Sequence, residues 1–289
     1  MVSSDSRVTI VVLTHARARE VSDTVERLLG LPERPPIIVV DNGSKDGTSD
    51  ILTRRFPSVR VIALKSNIGA AARNVGIRAA STPYVALCDD DTWWAAGSLQ
   101  QAADVLDRHS YVAVVTARVL VGREECEDPT CRRMENSPLD AEANMPGTPI
   151  LGFLAGASMI RRTAFLSVGG FEPRFFLGGE ETLVAVDLAA AGWKMVYVRD
   201  VIVHHHPSHI RDARARRRLL LRNALWFTWL RRPFSSAVRQ TGRLLRPALR
   251  APHEAWGFFQ AVAGLPWIIR RRRCLPAAVE AALLKLGNS

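Results

Sequence analysis

An apolar run of the chain ends in three acidic residues, Tyr84-Val85-Ala86-Leu87-Cys88-Asp89-Asp90-Asp91. The run predicts a buried strand, and carboxylates at its end are costly unless a cation neutralises them. Asp89 and Asp91 are two positions apart, so on an extended segment they point the same way. Paired carboxylates suit Mg²⁺ or Mn²⁺, which share their ligand shell with substrate phosphates. The stretch therefore predicts a metal–diphosphate site at a sheet rim; a solvated acidic turn with a helix cap is the alternative.

Short apolar runs alternate with amphipathic segments on both sides of this stretch. The alternation predicts an α/β fold, with a mainly parallel sheet and helices on both faces. Ligands of such sheets bind beyond the carboxyl ends of the strands. The predicted strands are Val8–Leu13, Ile37–Val40, Val59–Leu64, Tyr84–Cys88 and Val112–Val121, and the predicted helices are Arg19–Leu29, Ser49–Arg55, Ala70–Ala80 and Gly97–Asp107.

The second part of the chain is less regular. Residues 122–149 are polar and contain four prolines, which predicts a long loop. An apolar strand is predicted around Gly156-Ala157-Ser158, and a helix is predicted between Glu181 and Gly192. Two further strands are predicted at Lys194–Val198 and Val201–His205.

Charge divides the chain into two regions. The 289 residues carry a net charge of +11 and are 47% hydrophobic, which excludes wholesale disorder. Residues 207–273 contain 16 Arg, no Lys and 2 acids, giving +14, so the remainder sums to −3. The N-terminus enters a strand pattern directly, so we expect no signal peptide and a reducing, cytoplasmic location.

The four cysteines fit a reducing location. Cys88 is expected to be a small core residue. Cys126 and Cys131 are expected to be two free loop thiols, with a local disulfide or a metal site as the alternatives, since no second Cys/His pair has zinc-site spacing.

Polar clusters follow the second and third strands as well. Asp41 is placed to accept hydrogen bonds from a ribose or base edge, and Asn-Gly and Asp-Gly turns follow it. After the third strand, small residues open a helix in which Arg73 and Asn74 lie near the N-terminus, where anions are favoured. Turn and cap chemistry would explain each cluster alone. Three clusters at successive strand ends indicate a ligand site.

Taken in chain order, these strand ends and several later stretches resemble the family 2 glycosyltransferases, which have the nucleotide-sugar-binding fold called GT-A. The resemblance covers roughly residues 7–210. It implies a GT-A domain over residues 1–206, with a donor half near 1–121 and an acceptor half near 150–206, and a basic helical extension over 207–289. The matching stretches are Val8–Thr14, Val40–Thr48, Asn67–Gly69, Ala72–Gly76, Asp89–Asp91, Gly169–Glu172, Phe175-Phe176, Gly179–Glu181 and Ala191–Trp193.

The resemblance implies a role for each matching residue. Asp89 and Asp91 resemble the Asp-x-Asp motif, which holds a divalent cation, Mn²⁺ or Mg²⁺, on the donor diphosphate, and His205 or His206 is the candidate third ligand. Glu181 stands where the family has its general base, and direct displacement with one base would invert the anomeric centre. The implied nucleotide-sugar-binding residues are Thr14, Asp41, Asn67, Arg73, Asp89 and Asp90. The implied acceptor-binding residues are Trp93, Gly156, Ala157 and Glu180.

Four positions depart from the family pattern. Ala16 stands where the first-strand motif often has Asn, and His15 where it often has Tyr. Glu181 replaces the usual Asp, and Leu183 replaces a frequent second acid. These departures bear on sugar identity more than on reaction class.

The basic extension contains an apolar run of 15 residues, Ala255–Ile269. As a helix it would span ~22 Å, short of the ~30 Å hydrocarbon core, so a transmembrane helix is not expected. Arginines beside Trp and Phe suit an interfacial helix on an anionic membrane surface. A helical cap packed on the catalytic domain is the alternative. Nucleic-acid binding is not expected, because no nucleic-acid fold motif accompanies the charge.

These observations favour a metal-dependent, inverting glycosyltransferase that moves a sugar from a nucleotide-diphosphate sugar to an acceptor hydroxyl. The acceptor is expected to be lipid-linked, part of the cell envelope, or a natural product. A non-catalytic sugar-nucleotide-binding protein with a membrane- or partner-binding arm is the alternative. A nucleotidyltransferase is disfavoured, because no Gly-rich loop follows the first strand.

Overall fold

A computed structural model describes residues 7–207, 213–248 and 252–287. The strands are β1 Val8–Thr14, β2 Ile37–Asp41, β3 Arg60–Ala63, β4 Tyr84–Asp89, β5 Thr92–Trp94, β6 Val112–Val121, β7 Cys126–Glu127, β8 Thr148–Pro149, β9 Ser158–Arg161 and β10 Lys194–His205. The α-helices are α1 Ala18–Leu29, α2 Thr48–Arg55, α3 Arg73–Ala79, α4 Ser98–Arg108, α5 Pro129–Glu135, α6 Arg162–Ser167, α7 Glu180–Ala190, α8 Ala213–Arg231, α9 Phe234–Ala248, α10 Pro252–Ala263, α11 Leu265–Arg271 and α12 Ala277–Lys285. Three 3₁₀ turns lie at Gly69–Ala72, Ala155–Ala157 and Pro173–Phe175.

The strands form one sheet in the order β3-β2-β1-β4-β9-β6-β10-β5, with β7 and β8 added to β6 and β10. β1 pairs in parallel with both β2 and β4, β2 with β3, and β6 with β10. β9 and β5 are antiparallel to their neighbours. The predicted α/β fold with a largely parallel sheet is confirmed. The chain reverses its direction of progress across the sheet at β1, so the crevice beyond the β1 and β4 ends is where a ligand is expected.

The central strands are buried because they have apolar residues on both faces. Every residue of β1 from Val8 to Val12 is buried, and Cys88 in β4 is fully buried, as expected for a core residue. All four cysteines are free. Cys126 is an exposed thiol, but Cys131 is buried in α5, and its Sγ accepts a hydrogen bond from the Val119 amide at 3.2 Å. Both thiols are free, as expected, but neither lies in a loop, because Cys126 is in β7 and Cys131 is in α5.

Some local predictions are wrong, each for a local reason. Residues 122–149 are not one loop, because Asp128 caps α5 and Pro129 starts it. Gly156 and Ala157 form a 3₁₀ turn, and the strand begins only at Ser158. The two strands predicted over residues 194–205 are one strand, β10, with a register shift between Val198 and Ile202.

The described part of the basic extension is helical and packs on the sheet domain. Leu225, Trp226 and Leu230 of α8 form a second apolar cluster with Phe175 and Leu183 of the domain. Leu183, which replaces a frequent family acid, is therefore a buried packing residue. Further along the chain, Leu275, Val279 and Leu283 join the main core.

Two ion pairs strengthen this attachment. Arg231 of α8 pairs with Asp187 of α7, and the buried Arg232 pairs with Glu280 of α12, with 2.8 Å between Nη2 and Oε1. Helices within the described ranges are all too short or too polar to cross a bilayer. The boundary at residue 206 stays a prediction.

Candidate active site

A cavity of about 330 Å³ lies beyond the carboxyl ends of β1, β2 and β4. We call it the donor cavity. It brings together six of the residues predicted to bind a ligand, because each follows a strand that ends at this edge of the sheet. It is lined by Leu13, Thr14, His15, Arg17, Asn42, Asn67, Gly69, Ala70, Arg73, Asp89, Asp90, Asp91, Phe176 and Leu177.

The three aspartates are held by two guanidiniums. Arg73 pairs with Asp89, and Arg17 pairs with Asp90 and, at 3.1 Å, with Oδ2 of Asp91. The Thr14 hydroxyl donates to Oδ2 of Asp90 at 3.0 Å. Burial raises the pKa of Asp90 to about 7. Asp90 is thus a buried anchor for Arg17, whereas the Asp89 side chain is 42% exposed toward solvent.

His205 is the member of the histidine run that approaches the aspartates. Its Nε2 lies 3.5 Å from Oδ1 of Asp91. The backbone amide of His206 donates to the Asp91 carbonyl at 2.9 Å, but the His206 ring packs edge-on against Trp93. The choice between the histidines follows from the pairing of β10 with β5, which sets His204 opposite Trp93. Successive side chains of a strand point to opposite faces, so His205 lies on the other face from His204.

Asp91 and His205 fit a divalent cation of the Mg²⁺ or Mn²⁺ type. Ligands in adjacent octahedral positions, each 2.0–2.1 Å from Mg²⁺, lie about 3 Å apart, close to the separation between these two donors. No three His, Cys, Asp or Glu side chains are gathered into a closed metal site in the described part of the chain. An ion here would complete its shell with phosphate oxygens and water.

The Ala155–Ala157 turn connects Glu181 to the aspartates. The Ala155 amide donates to Oε1 of Glu181 at 2.6 Å. At Gly156, an added Cβ would lie 2.6 Å from Oδ2 of Asp89, so a side chain there would displace the Asp89 carboxylate. The Thr92 hydroxyl joins the Gly156 carbonyl, at 2.9 Å, to the Asp89 amide. The Ala155–Ala157 turn therefore contacts both Glu181 and Asp89 and helps to position them.

The pKa values of both glutamates at the start of α7 are raised. Burial raises the pKa of Glu181 to about 7, and the neighbouring Glu180 carboxylate adds to the shift. Burial also raises the pKa of Glu180. Among the described residues, Oε2 of Glu180 and Nε of Arg73 are buried without a hydrogen-bond partner. These orphaned polar atoms close to the donor cavity are typical of a site that a ligand completes.

The segment before these glutamates is held by the basic extension. Asn223 of α8 is buried and donates through Nδ2 to the carbonyls of Phe175 at 2.8 Å, Leu177 at 3.1 Å and Gly178 at 2.5 Å. Phe176 has a φ of 62°, which is unusual for a residue with a side chain. Its carbonyl accepts from the Ala70 amide at 2.6 Å. The α8 helix thus helps to shape one wall of the donor cavity.

Of the predicted nucleotide- and acceptor-binding residues, five do not line the donor cavity: Asp41, Trp93, Gly156, Ala157 and Glu180. Asp41 is buried, and its carboxylate accepts from the Ser44 amide at 3.0 Å and the Ser49 hydroxyl at 2.5 Å, so both oxygens are engaged. Trp93 lies under the Arg27 guanidinium, 4.1 Å away, and stacks on His204. Their roles toward nucleotide and acceptor stay predictions.

Three residues of the site were not singled out from the sequence. Arg17 follows the first strand, and Asn42 follows Asp41, so the strand-end argument reaches both. Asn42 joins its neighbours by donating to Oδ1 of Asn67 at 2.9 Å and accepting from the Ile68 amide at 2.9 Å. Asn223 lies in an apolar and basic helix, where no sequence pattern marks it.

Comparison with known proteins agrees with this geometry. The family described as "Glycosyl transferase family 2" matches residues 9–169, more than half of the 289 residues. The chain belongs to this family, and it is a glycosyltransferase by fold and by sequence. The resemblance stated above is confirmed.

Individual relatives are more distant. The N-acetylglucosaminyl-diphospho-decaprenol L-rhamnosyltransferase of Mycobacterium tuberculosis is 26% identical over 234 residues, which cover 69% of this chain and 76% of that protein. A pre-mycofactocin glycosyltransferase of the same organism is 30% identical over 218 residues, covering 73% and 45%.

Solved structures show the same fold. Mannosyltransferase PcManGT from Pyrobaculum calidifontis, in complex with GDP-Man and Mn²⁺, matches 98% of this chain and 79% of its own length, with a TM-score of 0.59 at 21% identity. GalNAc-T7 with UDP, GalNAc and Mn²⁺ matches 82% of this chain and 49% of its own length, with a TM-score of 0.62 at 14% identity. Both support the GT-A assignment.

Proposed function

We propose that the chain moves a sugar from a nucleotide-diphosphate sugar to an acceptor hydroxyl, with inversion at the anomeric carbon. The main support for this proposal is the Ala155–Ala157 turn, which contacts both Glu181 and Asp89. Its first amide holds the Glu181 carboxylate, and its glycine lies against the Asp89 carboxylate. A proton acceptor and the diphosphate end of the donor site are thereby positioned by one segment.

Charge explains why this site would need a cation. The donor cavity sets the carboxylates of Asp89, Asp90 and Asp91 against the guanidiniums of Arg17 and Arg73, a formal balance of −1. A free diphosphate gains little there. Asp91 and His205 are the residues that would hold Mn²⁺ or Mg²⁺, and the role of Asp89 as a further ligand stays a prediction. The ion would offset charge developing on the leaving diphosphate, beside Arg73.

Glu181 is our general base. The acceptor oxygen forms its bond to the anomeric carbon while the bond from that carbon to the diphosphate oxygen breaks. The electron pair leaves with the nucleoside diphosphate, and the hydroxyl proton passes to Glu181. Such a positioned carboxylate typically contributes ~10²–10⁴-fold. A single displacement of this kind inverts the configuration.

The names of the relatives suggest the substrates to test first. One relative is a rhamnosyltransferase that acts on a decaprenyl-diphosphate-linked N-acetylglucosamine. We therefore propose a deoxyhexose donor and a lipid-linked acceptor for this chain, with Gly156, Ala157 and Glu180 on the acceptor side. Exposed Trp256 and Phe259 in α10 support a peripheral position on an anionic membrane surface.

The proposal is tested by transfer from a panel of dTDP-, UDP- and GDP-sugars to polyprenyl-diphosphate-linked N-acetylglucosamine with Mn²⁺. We expect one donor to give product, and expect that product to be lost with EDTA and in Asp91→Asn. Asp50→Asn, an exposed acid of α2, is the matched control and should keep full activity.

Other outcomes would separate the alternatives. Metal-dependent nucleotide binding without turnover of any donor would favour the non-catalytic sugar-nucleotide-binding protein. Absence of nucleotide binding, with or without Mn²⁺, would overturn the proposal.

A further inference from the structure

A second and larger cavity lies between α8, α10, α11 and the segment Glu172–Phe175, with a volume of about 840 Å³. We call it the arm cavity. It is lined by Arg174, Arg222, Arg270 and Arg271 and by a single acid, Glu172, a formal balance of +3. Across the described part of the chain, none of these four guanidiniums is ion-paired with a carboxylate. The Glu172 carboxylate accepts instead from the backbone amide of Arg174 at 3.2 Å.

Aromatic rings hold two of these arginines in place. The Arg174 guanidinium lies 4.8 Å from the Trp267 ring centre, and the Arg222 guanidinium lies 4.3 Å from that of Trp226. The two indoles pack against each other with centroids 5.3 Å apart. Burial lowers the pKa of Arg222. Stacking orients a guanidinium without neutralising it. Nε and Nη2 of Arg222 donate to the Asn223 side chain and to the Arg174 and Phe175 carbonyls, so Nη1 of Arg222 and the Arg174 guanidinium are the donors of this pair that suit a phosphate or diphosphate.

The surface of α10 and α11 beside this cavity is apolar. Trp256, Phe259 and Ile269 are 58%, 62% and 74% exposed. Arg270 and Arg271, which line the cavity, directly follow Ile269. Cations at the edge of exposed apolar side chains match an amphipathic ligand, whose anionic head enters the cavity and whose chain covers the apolar residues.

Residues of one segment, 172–177, line both cavities. Arg174 lines the arm cavity, whereas Phe176 and Leu177 line the donor cavity. The Cα atoms of Arg174 and Phe176 are at most roughly 7 Å apart, because two residues cannot span more. A ligand anchored in the arm cavity is therefore close to the donor site.

We propose that the arm cavity binds the diphosphate of a polyprenyl-diphosphate lipid, with the isoprenoid chain against α10 and α11. The role of this lipid as sugar acceptor rests on the proposed function, whereas its binding does not. A nucleotide donor is the weaker match, because it has no long apolar group for Trp256, Phe259 and Ile269 to cover.

The experiment measures flotation of the full-length protein with phosphatidylcholine vesicles that contain undecaprenyl diphosphate. Vesicles of phosphatidylcholine alone, and vesicles with phosphatidylglycerol at matched charge, separate the diphosphate from general membrane charge. Free pyrophosphate is added as a competitor. We expect tight binding to the undecaprenyl diphosphate vesicles, weak binding to both others, and partial competition by pyrophosphate.

Paired variants test the arginines. The double substitution Arg270→Gln and Arg271→Gln should weaken binding by at least about tenfold, because it removes two cationic hydrogen-bond donors from the cavity. The matched control is Arg217→Gln with Arg246→Gln, which removes the same charge from exposed positions of α8 and α9 outside the cavity. The control should bind as the native protein does.

Several results would overturn the proposal. Equal weakening by both double variants, or equal binding to phosphatidylglycerol vesicles, would mean a general electrostatic surface. Pyrophosphate bound as tightly as the lipid would mean a site for a soluble anion. Metal-dependent nucleotide binding should be unchanged in Arg270→Gln/Arg271→Gln, and lipid binding unchanged in Asp91→Asn. Failure of this inference and failure of the proposed function are therefore distinguishable.

Discussion

The donor cavity and the arm cavity share the segment 172–177 in their linings, and their formal charges are opposite in sign. In the donor cavity, Arg17 and Arg73 are both paired, and the carboxylates outnumber them. In the arm cavity, four guanidiniums face one carboxylate, and two of them lie on indole rings. This difference in charge indicates which kind of ligand each cavity can bind without a bound metal ion. We therefore propose that the donor cavity binds a diphosphate through a cation and that the arm cavity binds an anion directly.

The largest expected effect tests whether the donor side is catalytic. Glu181→Gln should lower kcat by ~10²–10⁴-fold, because an amide cannot accept the hydroxyl proton. Its Oε1 can still accept the Ala155 amide, so the turn and the donor affinity should be unchanged. Steady-state transfer assays and calorimetric nucleotide titration measure the two effects. Activity within tenfold of the native protein would remove Glu181 from the role of base.

A glycine comparison tests the geometry that joins base and diphosphate site. Gly156→Ala should reduce kcat/KM by about 10²-fold, because the new Cβ displaces the Asp89 carboxylate, and misplacement of about 1 Å can cost that much. Gly152→Ala is the matched control, since nothing lies within 4 Å of its added Cβ. Similar rates in the two variants would show that the Asp89 position tolerates movement.

A pH profile tests the state of Glu181. Burial raises its pKa to about 7, so the charged form that acts as base is lost as pH falls through this value. We expect kcat to fall about tenfold per pH unit below about 7. The residual activity of Glu181→Gln should lack this acid limb. A native profile that stays flat down to about pH 5 would contradict the assignment.

The smallest expected effect tests the link between the two regions. Asn223→Ala should lower the free energy of unfolding by about 1–3 kcal/mol, because three loop carbonyls lose their buried donor. A several-fold fall in kcat should accompany it as the Phe175–Gly178 loop loosens. Urea unfolding and transfer assays measure both effects.

Asn136→Ala is the control for this link. Asn136 is exposed at the C-terminal end of α5, and its side chain donates to the nearby Arg132 carbonyl at 2.8 Å. Equal losses of stability in the two variants, or full activity in Asn223→Ala, would show that α8 does not support the catalytic loop.

Much of the donor cavity could be predicted from the chain order of strands. Thr14, Asn67, Arg73 and the three aspartates follow successive strand ends, and parallel strands bring their carboxyl ends to one edge. The surroundings of Trp93 could not be predicted from the order of the strands. Its neighbours depend on a three-residue strand, β5, pairing antiparallel with β10, and no local pattern encodes that partner. Asp41 lies at the predicted edge, but its carboxylate is engaged by Ser44 and Ser49.

The sequence by itself determined the alternating α/β organisation, the family and the acidic triplet, because periodicity and short polar motifs are local properties of the chain. Tertiary structure alone decided that His205 approaches Asp91, that a 3₁₀ turn links Glu181 to Asp89, and that Asn223 holds the Phe175–Gly178 loop. Those contacts join residues far apart in the chain. Their physical cause is strand register and helix packing, which depend on the whole core and not on neighbouring residues.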